Sequence, residues 1–162
     1  VGVFALLAAH HGARRGIACE PNLDNYRRLV ENIALNPSLA GCVEPLNVAV
    51  HAFTGTVCMD GAWGAARVTD EGEDVRCVSL ADLIAERGEV AFLKVDVEGS
   101  EFAIFDAATV EITARCRHIA MELHATDAAT RDRLVAKIRR THRVEVVGSL
   151  AGGSLYATRH GT

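Results

Sequence analysis

Three carboxylates at the end of an apolar run are the residues of this sequence best placed to do chemistry. They are Asp96, Glu98 and Glu101, within Phe92-Leu93-Lys94-Val95-Asp96-Val97-Glu98-Gly99-Ser100-Glu101. Ala91, Phe92, Leu93, Val95 and Val97 have the apolar, β-branched character of a strand buried in a parallel sheet, where an unpartnered carboxylate is costly. Asp96 and Glu98 are therefore expected at the carboxyl edge of that sheet, where open α/β folds bind their ligands. Two positions apart on an extended segment, their side chains are expected to face one side. Gly99 permits a tight exit, and Ser100 is expected to cap a helix carrying Phe102, Ile104, Phe105 and Ala108. Glu98 and Glu101 can also serve as acidic residues at the amino end of that helix.

Other polar residues fall at predicted strand ends. Residues 117–124 alternate Ile119, Met121 and Leu123 with Ala120, Glu122 and His124, a strand whose last polar residues again reach a carboxyl end. A histidine titrates at about pH 6.5 when unperturbed, which makes His124 a candidate base beside Asp96. His118, Glu122 and His124 would share one face; a solvated set is the simpler reading than a metal site, and no metal is expected. Glu20 follows Gly16-Ile17-Ala18-Cys19 and precedes Pro21-Asn22. An acidic residue at the end of the second strand, about 20 residues after a glycine turn such as that at Gly2, accepts hydrogen bonds from ribose hydroxyls in nucleotide-binding α/β folds. A merely solvated strand end is the competing reading of Glu20.

The elements that must position these residues alternate for most of the length. Residues 1–11 read as a short buried helix ended by Gly12, and residues 16–20 as a strand. Asn22 starts a helix with Leu23, Tyr26, Val30 and Ile33 on its apolar face, stopped by Asn36-Pro37. Residues 43–50, 55–59 and 75–80 read as extended, with Ser79 opening a short helix of Leu80, Leu83 and Ile84. The small and polar residues 60–74 mark a loop or loose hairpin around Trp63, which could cover an acceptor pocket or simply pack the loop down. Thr126 or Asp127 starts a helix through Leu134, Val135 and Ile138, and residues 144–147 and 154–158 make a closing pair of strands. The pattern predicts one α/β domain with a mainly parallel sheet, helices on both faces and an antiparallel end.

The composition narrows the function classes. A chain of 162 residues with 49% hydrophobic content suffices for one core. A net charge of -4 gives no basic surface for nucleic acid, and the basic run from Arg131 to Arg143 reads as a solvated helix face. Cys19, Cys42, Cys58, Cys77 and Cys116 are odd in number and lack metal-ligand spacing, which predicts reduced, mostly buried thiols in a cytoplasmic protein. No apolar run approaches the roughly 20 residues of a membrane span. The apolar start has no basic region before it, so neither a membrane segment nor a signal peptide is expected.

Several segments together resemble one family. Val1-Gly2-Val3-Phe4, Cys19-Glu20-Pro21-Asn22, Glu31-Asn32-Ile33-Ala34-Leu35-Asn36, Ser79-Leu80-Ala81-Asp82-Leu83, Met121-Glu122-Leu123-His124 and, most specifically, Lys94 to Glu101 resemble the FkbM family of S-adenosylmethionine-dependent methyltransferases. The resemblance covers nearly the whole chain. It implies a Rossmann-like class I methyltransferase fold, S-adenosylmethionine as cofactor, and methyl transfer to a hydroxyl of a sugar or natural-product-like small molecule. Residue by residue it implies that Gly2 ends the first cofactor loop, that Glu20, beside Asn22, holds the ribose, and that Asn47 to Ala49 lie near the adenine. It further implies that Asp96 faces the methionine end of the cofactor and the acceptor. The family's Asp-x-Gly-Ala-Asn-x-Gly segment is met here only at its last part. The first strand and most of the glycine loop are therefore expected to be missing, as in a fragment or a chain with a weakened hold on the cofactor.

Two other readings stand beside this one. Asp96-Val97-Glu98 imitates an acidic pair that could hold a divalent ion and a nucleotide diphosphate, as in a metal-dependent sugar transferase. Alternatively, the domain is a non-catalytic remnant.

Overall fold

Apolar residues at helical and alternating spacings sort the chain into α1 (Val3–His10), β1 (Gly16–Cys19), α2 (Leu23–Ala34), α3 (Pro37–Ala40), β2 (Val43–Leu46), β3 (Ala49–His51), β4 (Gly55–Asp60), β5 (Arg67–Thr69), β6 (Glu73–Ser79), α4 (Leu80–Ala85), β7 (Val90–Val95), α5 (Glu101–Ala107), α6 (Val110–Ala114), β8 (Cys116–Leu123), α7 (Ala128–Arg139), β9 (His142–Gly148) and β10 (Gly153–Arg159). The structure is a computed structural model that describes residues 1–60, 67–85, 87–124, 127–149 and 152–161, with Arg67 through its backbone alone. Trp63 and Thr126 lie outside the described residues. The chain divides into two compact units, Val1–Ala49 with Thr56–Cys77, and Val50–Gly55 with Val78–Thr162.

In the first unit β1 and β2 pair in parallel, Gly16 opposite Val43 and Cys19 opposite Leu46. Asn22 starts α2 as expected, its side-chain oxygen accepting the N–H groups of Asp24 and Asn25. The inward stripe is Asn25, Leu29 and Ile33, and the last two pack with Ala9 of α1 and Val43 of β2. Leu23 and Val30, expected on that stripe, are exposed. The difference arises because residues four apart stack on a helix, so the row through Leu29 and Ile33 carries the polar Asn25 inward. Helix α1 forms where expected but is not buried: Val3, Phe4 and Leu7 are exposed and Ala9 alone is buried. Its apolar residues point in every direction, and one contact face cannot cover them all. Pro37 stops α2 and also begins α3, since the first helical position needs no N–H.

The strand expected over residues 43–50 breaks into β2 and β3. Asn47 lies at the break, its amide donating to the carbonyls of Glu20 at 2.9 Å and Pro21 at 3.0 Å. Beyond it β3 joins a second sheet of order β3-β6-β4-β5, in which β4 and β5 form an antiparallel hairpin with Met59 opposite Val68. Ala49, Val57 and Cys77 form its core.

The second unit holds a mixed sheet of order β7-β8-β10-β9. β7 and β8 are parallel, whereas β10 is antiparallel to both β8 and β9. Alternation in β8 and β10 sends Ile119, Met121, Leu123, Leu155 and Ala157 to one face. There they pack with Leu80 and Ile84 of α4, Ile104 and Phe105 of α5, and Leu134, Val135 and Ile138 of α7. Burying a side chain the size of Phe105 is worth about 1.5–3 kcal/mol. The opposite face exposes Phe92, Glu122 and Tyr156. This corrects one expectation, since the described helices of this unit cover one face of its sheet, while the last two strands supply the antiparallel end that the sequence predicts. β7 is also less buried than its apolar sequence suggests, with Phe92 47% exposed, because it lies at the sheet edge.

None of the five cysteines is in a disulfide; Cys77 and Cys116 are buried and the other three half-buried, so fewer are buried than the sequence suggests. Among the described residues no helix is long and apolar enough to cross a membrane.

His142 opens β9 with 1% of its surface exposed. Its Nε2 and the Cys116 carbonyl are 2.7 Å apart, and its Nδ1 and the Thr141 hydroxyl are also 2.7 Å apart. The neutral ring, donating at Nε2 and accepting at Nδ1, satisfies both contacts. Burial depresses the His142 pKa below its ordinary value, with the Cys116 contact opposing. A depressed folded-state pKa means that the unfolded chain binds the proton more readily. The stabilisation is therefore complete above the ordinary histidine value and lost as pH falls through the folded one. Melting temperatures of wild type and His142→Gln are expected to converge as the pH is lowered from about 7.5 to about 5. A constant gap would show that His142 titration contributes nothing.

Candidate active site

The first unit presents Glu20 at the carboxyl end of β1, half-buried. The Glu20 N–H donates to the Leu46 carbonyl at 3.0 Å, which carries the parallel β1–β2 pairing one residue past the strand. One carboxylate oxygen accepts the Asn22 N–H at 3.0 Å, and the buried Asn25 side chain donates to the same carboxylate. Burial pushes the Glu20 carboxyl above its ordinary pKa, and these hydrogen bonds oppose the rise. A carboxylate offers about four lone-pair positions, so those donors leave it able to accept more. A cavity of about 200 Å³ opens next along the chain; Glu20 itself does not line it, and Pro21, Asn22, Leu23, Asn47, Met59 and Asp74 do so in part.

Asn22 and Asn47 thus both line this cavity, and the Asn22 oxygen is already engaged in capping α2. Gly2 precedes α1 at φ 79°, and a Cβ there would lie 2.4 Å from Leu29 Cδ1, so this turn admits only glycine without rearrangement. Ala49 is buried against Val57 and Cys77, so its side chain is part of a core. Asn25 was not anticipated; its signal was a polar residue in register with Leu29 and Ile33.

In the second unit β7 ends at Val95, and Asp96 follows it with its carboxylate 2.6 Å from Lys94 Nζ. Burial would raise the Asp96 pKa, but the Lys94 hydrogen bond and charge, aided by Glu122 and His124, hold it below the ordinary range. Glu98 and Gly99 then adopt left-handed backbone angles, φ 47° and 101°. Such a conformation at a non-glycine residue costs on the order of 1–3 kcal/mol. The extended geometry expected to align Asp96 with Glu98 therefore does not continue past the strand, and the two carboxylates take different partners.

Ser100 stands at the cap position of α5 but makes no side-chain cap bond, because its backbone is already helical. Glu101, the first residue of α5, serves backbone donors outside the helix. One of its oxygens accepts the Gly99 N–H at 2.9 Å, and the other accepts the His124 N–H at 2.6 Å. It is 0% exposed, far more than an acidic residue at a helix start, and it ties the turn after β7 to the end of β8. The overlooked signal was its place on the same helical face as Ile104, Phe105 and Ala108.

His124 completes the cluster. Its Nε2 lies 3.5 Å from a Glu98 oxygen and its Nδ1 3.3 Å from Glu101. The Nδ1 contact is close but not aligned as a hydrogen bond, so that buried nitrogen has no formal partner. His118 instead faces Thr158 on β10, with 3.2 Å between ring and hydroxyl. Among the described residues no three His, Cys, Asp or Glu side chains converge as a metal site would require. A larger depression of about 610 Å³ lies over the open sheet face, between Phe92, His118, Arg143, Tyr156 and His160. It contains none of the candidate residues and gathers no comparable set of carboxylates.

A family model described as the methyltransferase FkbM domain matches residues 2–143. A comparison with curated protein sequences gave no match. Among solved structures, the chain is similar to methyltransferase FkbM from Methylobacillus flagellatus KT, with 17% sequence identity and a TM-score of 0.65. The similarity covers 89% of this chain and 36% of that one, and at such identity it bears on the fold.

Asn47 gives a direct check on the Glu20 corner. Asn47→Ala removes the donor to two carbonyls and is expected to lower stability by about 1–3 kcal/mol in urea unfolding. A change below about 0.5 kcal/mol would mean that those carbonyls are served equally well by water.

Proposed function

Because this chain belongs to the FkbM methyltransferase family, we propose that it carries out S-adenosylmethionine-dependent methyl transfer to a hydroxyl of a sugar or natural-product-like small molecule. The observation that carries the cofactor assignment is the half-buried Glu20 carboxylate at the end of β1, with acceptor capacity left after Asn22 and Asn25 are served, followed directly by Pro21 and Asn22, which line a cavity. A ribose offers two adjacent hydroxyl donors, the complement of that carboxylate. Gly2, whose Cβ position is already filled by Leu29, keeps the backbone before α1 free of a side chain. In this reading Glu20 holds the ribose, Asn22 and Asn47 line the adenosine side, and Gly2 shapes the approach. Ala49 has no part.

When bound, S-adenosylmethionine would supply an activated methyl group. The chain's own residues orient the acceptor and move its proton. Asp96, charged and steadied by Lys94, positions the acceptor hydroxyl. His124 takes the hydroxyl proton at Nε2, with Glu98 close enough to stabilise the positive charge that results. The sugar-transferase reading has less support. Asp96 is engaged by Lys94 and Glu98 by His124, a distribution that suits proton handling better than a shared divalent ion.

Calorimetric titration with S-adenosylmethionine is expected to show binding to wild type and binding weaker by about 10- to 100-fold in Glu20→Ala, the loss of charge-assisted hydrogen bonds. Equal binding to both would remove Glu20 from the site, and no binding to wild type would overturn the cofactor assignment. With a methyl-labelled cofactor and a panel of hydroxylated sugars, His124→Ala is expected to lower kcat by about 10²- to 10⁴-fold. A loss of less than about tenfold would demote His124.

A further inference from the structure

The Glu101 carboxylate is fully buried and both its oxygens are already used by backbone donors, yet it also faces a histidine ring nitrogen. That nitrogen, His124 Nδ1, is itself buried, and Glu101 Oε1 lies 3.3 Å away. A carboxylate oxygen in this position can only accept. A lone pair on Nδ1 would therefore meet a second lone pair with no water to intervene, whereas an N–H there points at a charge of the right sign. Nε2, on the other side of the ring, is turned toward Glu98, whose side chain is partly exposed.

We propose that Glu101 is a positioning residue that fixes the His124 ring with Nδ1–H inward and the Nε2 lone pair outward. The His124 backbone is clamped by the same carboxylate, so a single side chain sets both where the residue sits and how its ring is protonated. The catalytic consequence rests on the methyl-transfer reading. The acceptor O–H bond breaks with its electron pair left on oxygen, which bonds the methyl carbon as the C–S pair returns to sulfur. The proton ends on Nε2, and the resulting imidazolium lies between Glu98 and Glu101. An orienting acid behind a histidine base is a recurrent solution to general-base catalysis, because the wrong tautomer cannot accept the proton. The contact is close but misaligned here, as such contacts often are before substrate binds.

The test reads the tautomer directly. Protein carrying ¹⁵N-histidine is examined by long-range ¹H–¹⁵N correlation at mildly alkaline pH, with His124 identified as the signal missing from His124→Asn. Wild type is expected to show a protonated Nδ1 and a bare Nε2. The opposite tautomer in wild type overturns the proposal, and this measurement needs no variant of Glu101. Glu101→Gln is expected to lose the single tautomer and about a hundredfold in kcat while retaining its affinity for S-adenosylmethionine. A folded Glu101→Gln protein with the wild-type tautomer pattern also overturns it. An Nδ1–H tautomer in wild-type protein that binds no S-adenosylmethionine supports the clamp while overturning the methyl-transfer reading.

Discussion

The hydrogen bonds to Glu101 are the constraint on which the second unit's site depends. Two parallel neighbours, β7 and β8, end side by side, and each must leave the sheet by its own turn. Glu101 joins the two exits, taking the Gly99 N–H from one and the His124 N–H from the other. A buried carboxylate without partners would cost several kcal/mol, and charge-assisted bonds to backbone donors offset that cost. The left-handed Glu98 and Gly99 follow from the same requirement, because only a sharp turn brings the Gly99 amide back onto the first residue of α5. Strain at Glu98 is thus tolerated where it places a carboxylate against His124.

The first unit solves a comparable problem with amides. Glu20 leaves β1 beneath Asn22, Asn25 and Asn47, and each asparagine has a different task. Asn22 caps α2, Asn25 reaches the carboxylate from the buried face of that helix, and Asn47 holds the carbonyls on either side of Pro21. Proline removes a donor from this segment, so the carbonyls around it need partners from elsewhere in the chain. Breaking the strand at Asn47 supplies them. The interruption between β2 and β3 is therefore part of the site's construction.

Much of this was legible locally. Strand ends rich in carboxylates pointed to Glu20, Asp96 and Glu98, and alternation in residues 117–124 placed His124 at the end of β8. Cap signals at Asn22, Ser79 and Asp127 marked helix starts that the structure keeps, with side chains of all three accepting N–H groups. What failed was burial. The apolar runs of α1 and β7 looked like core, yet hydrophobic content does not say which neighbours an element has, and Val3 and Phe92 are exposed. Ala49 shows the opposite case, a small residue at the start of β3 whose side chain is packed in a core that nothing local announced.

The sequence by itself determined the types of element, the polar residues at their carboxyl ends and the family to which the chain belongs, because these depend on short-range spacing and on segments of contiguous sequence. Tertiary structure alone decided which carboxylate meets which partner. Glu101 reaches His124 across 23 positions of sequence and Asn47 reaches Glu20 across 27. Such pairs are selected by the demand that every buried donor and acceptor be satisfied, and that demand exists only once the strands lie side by side.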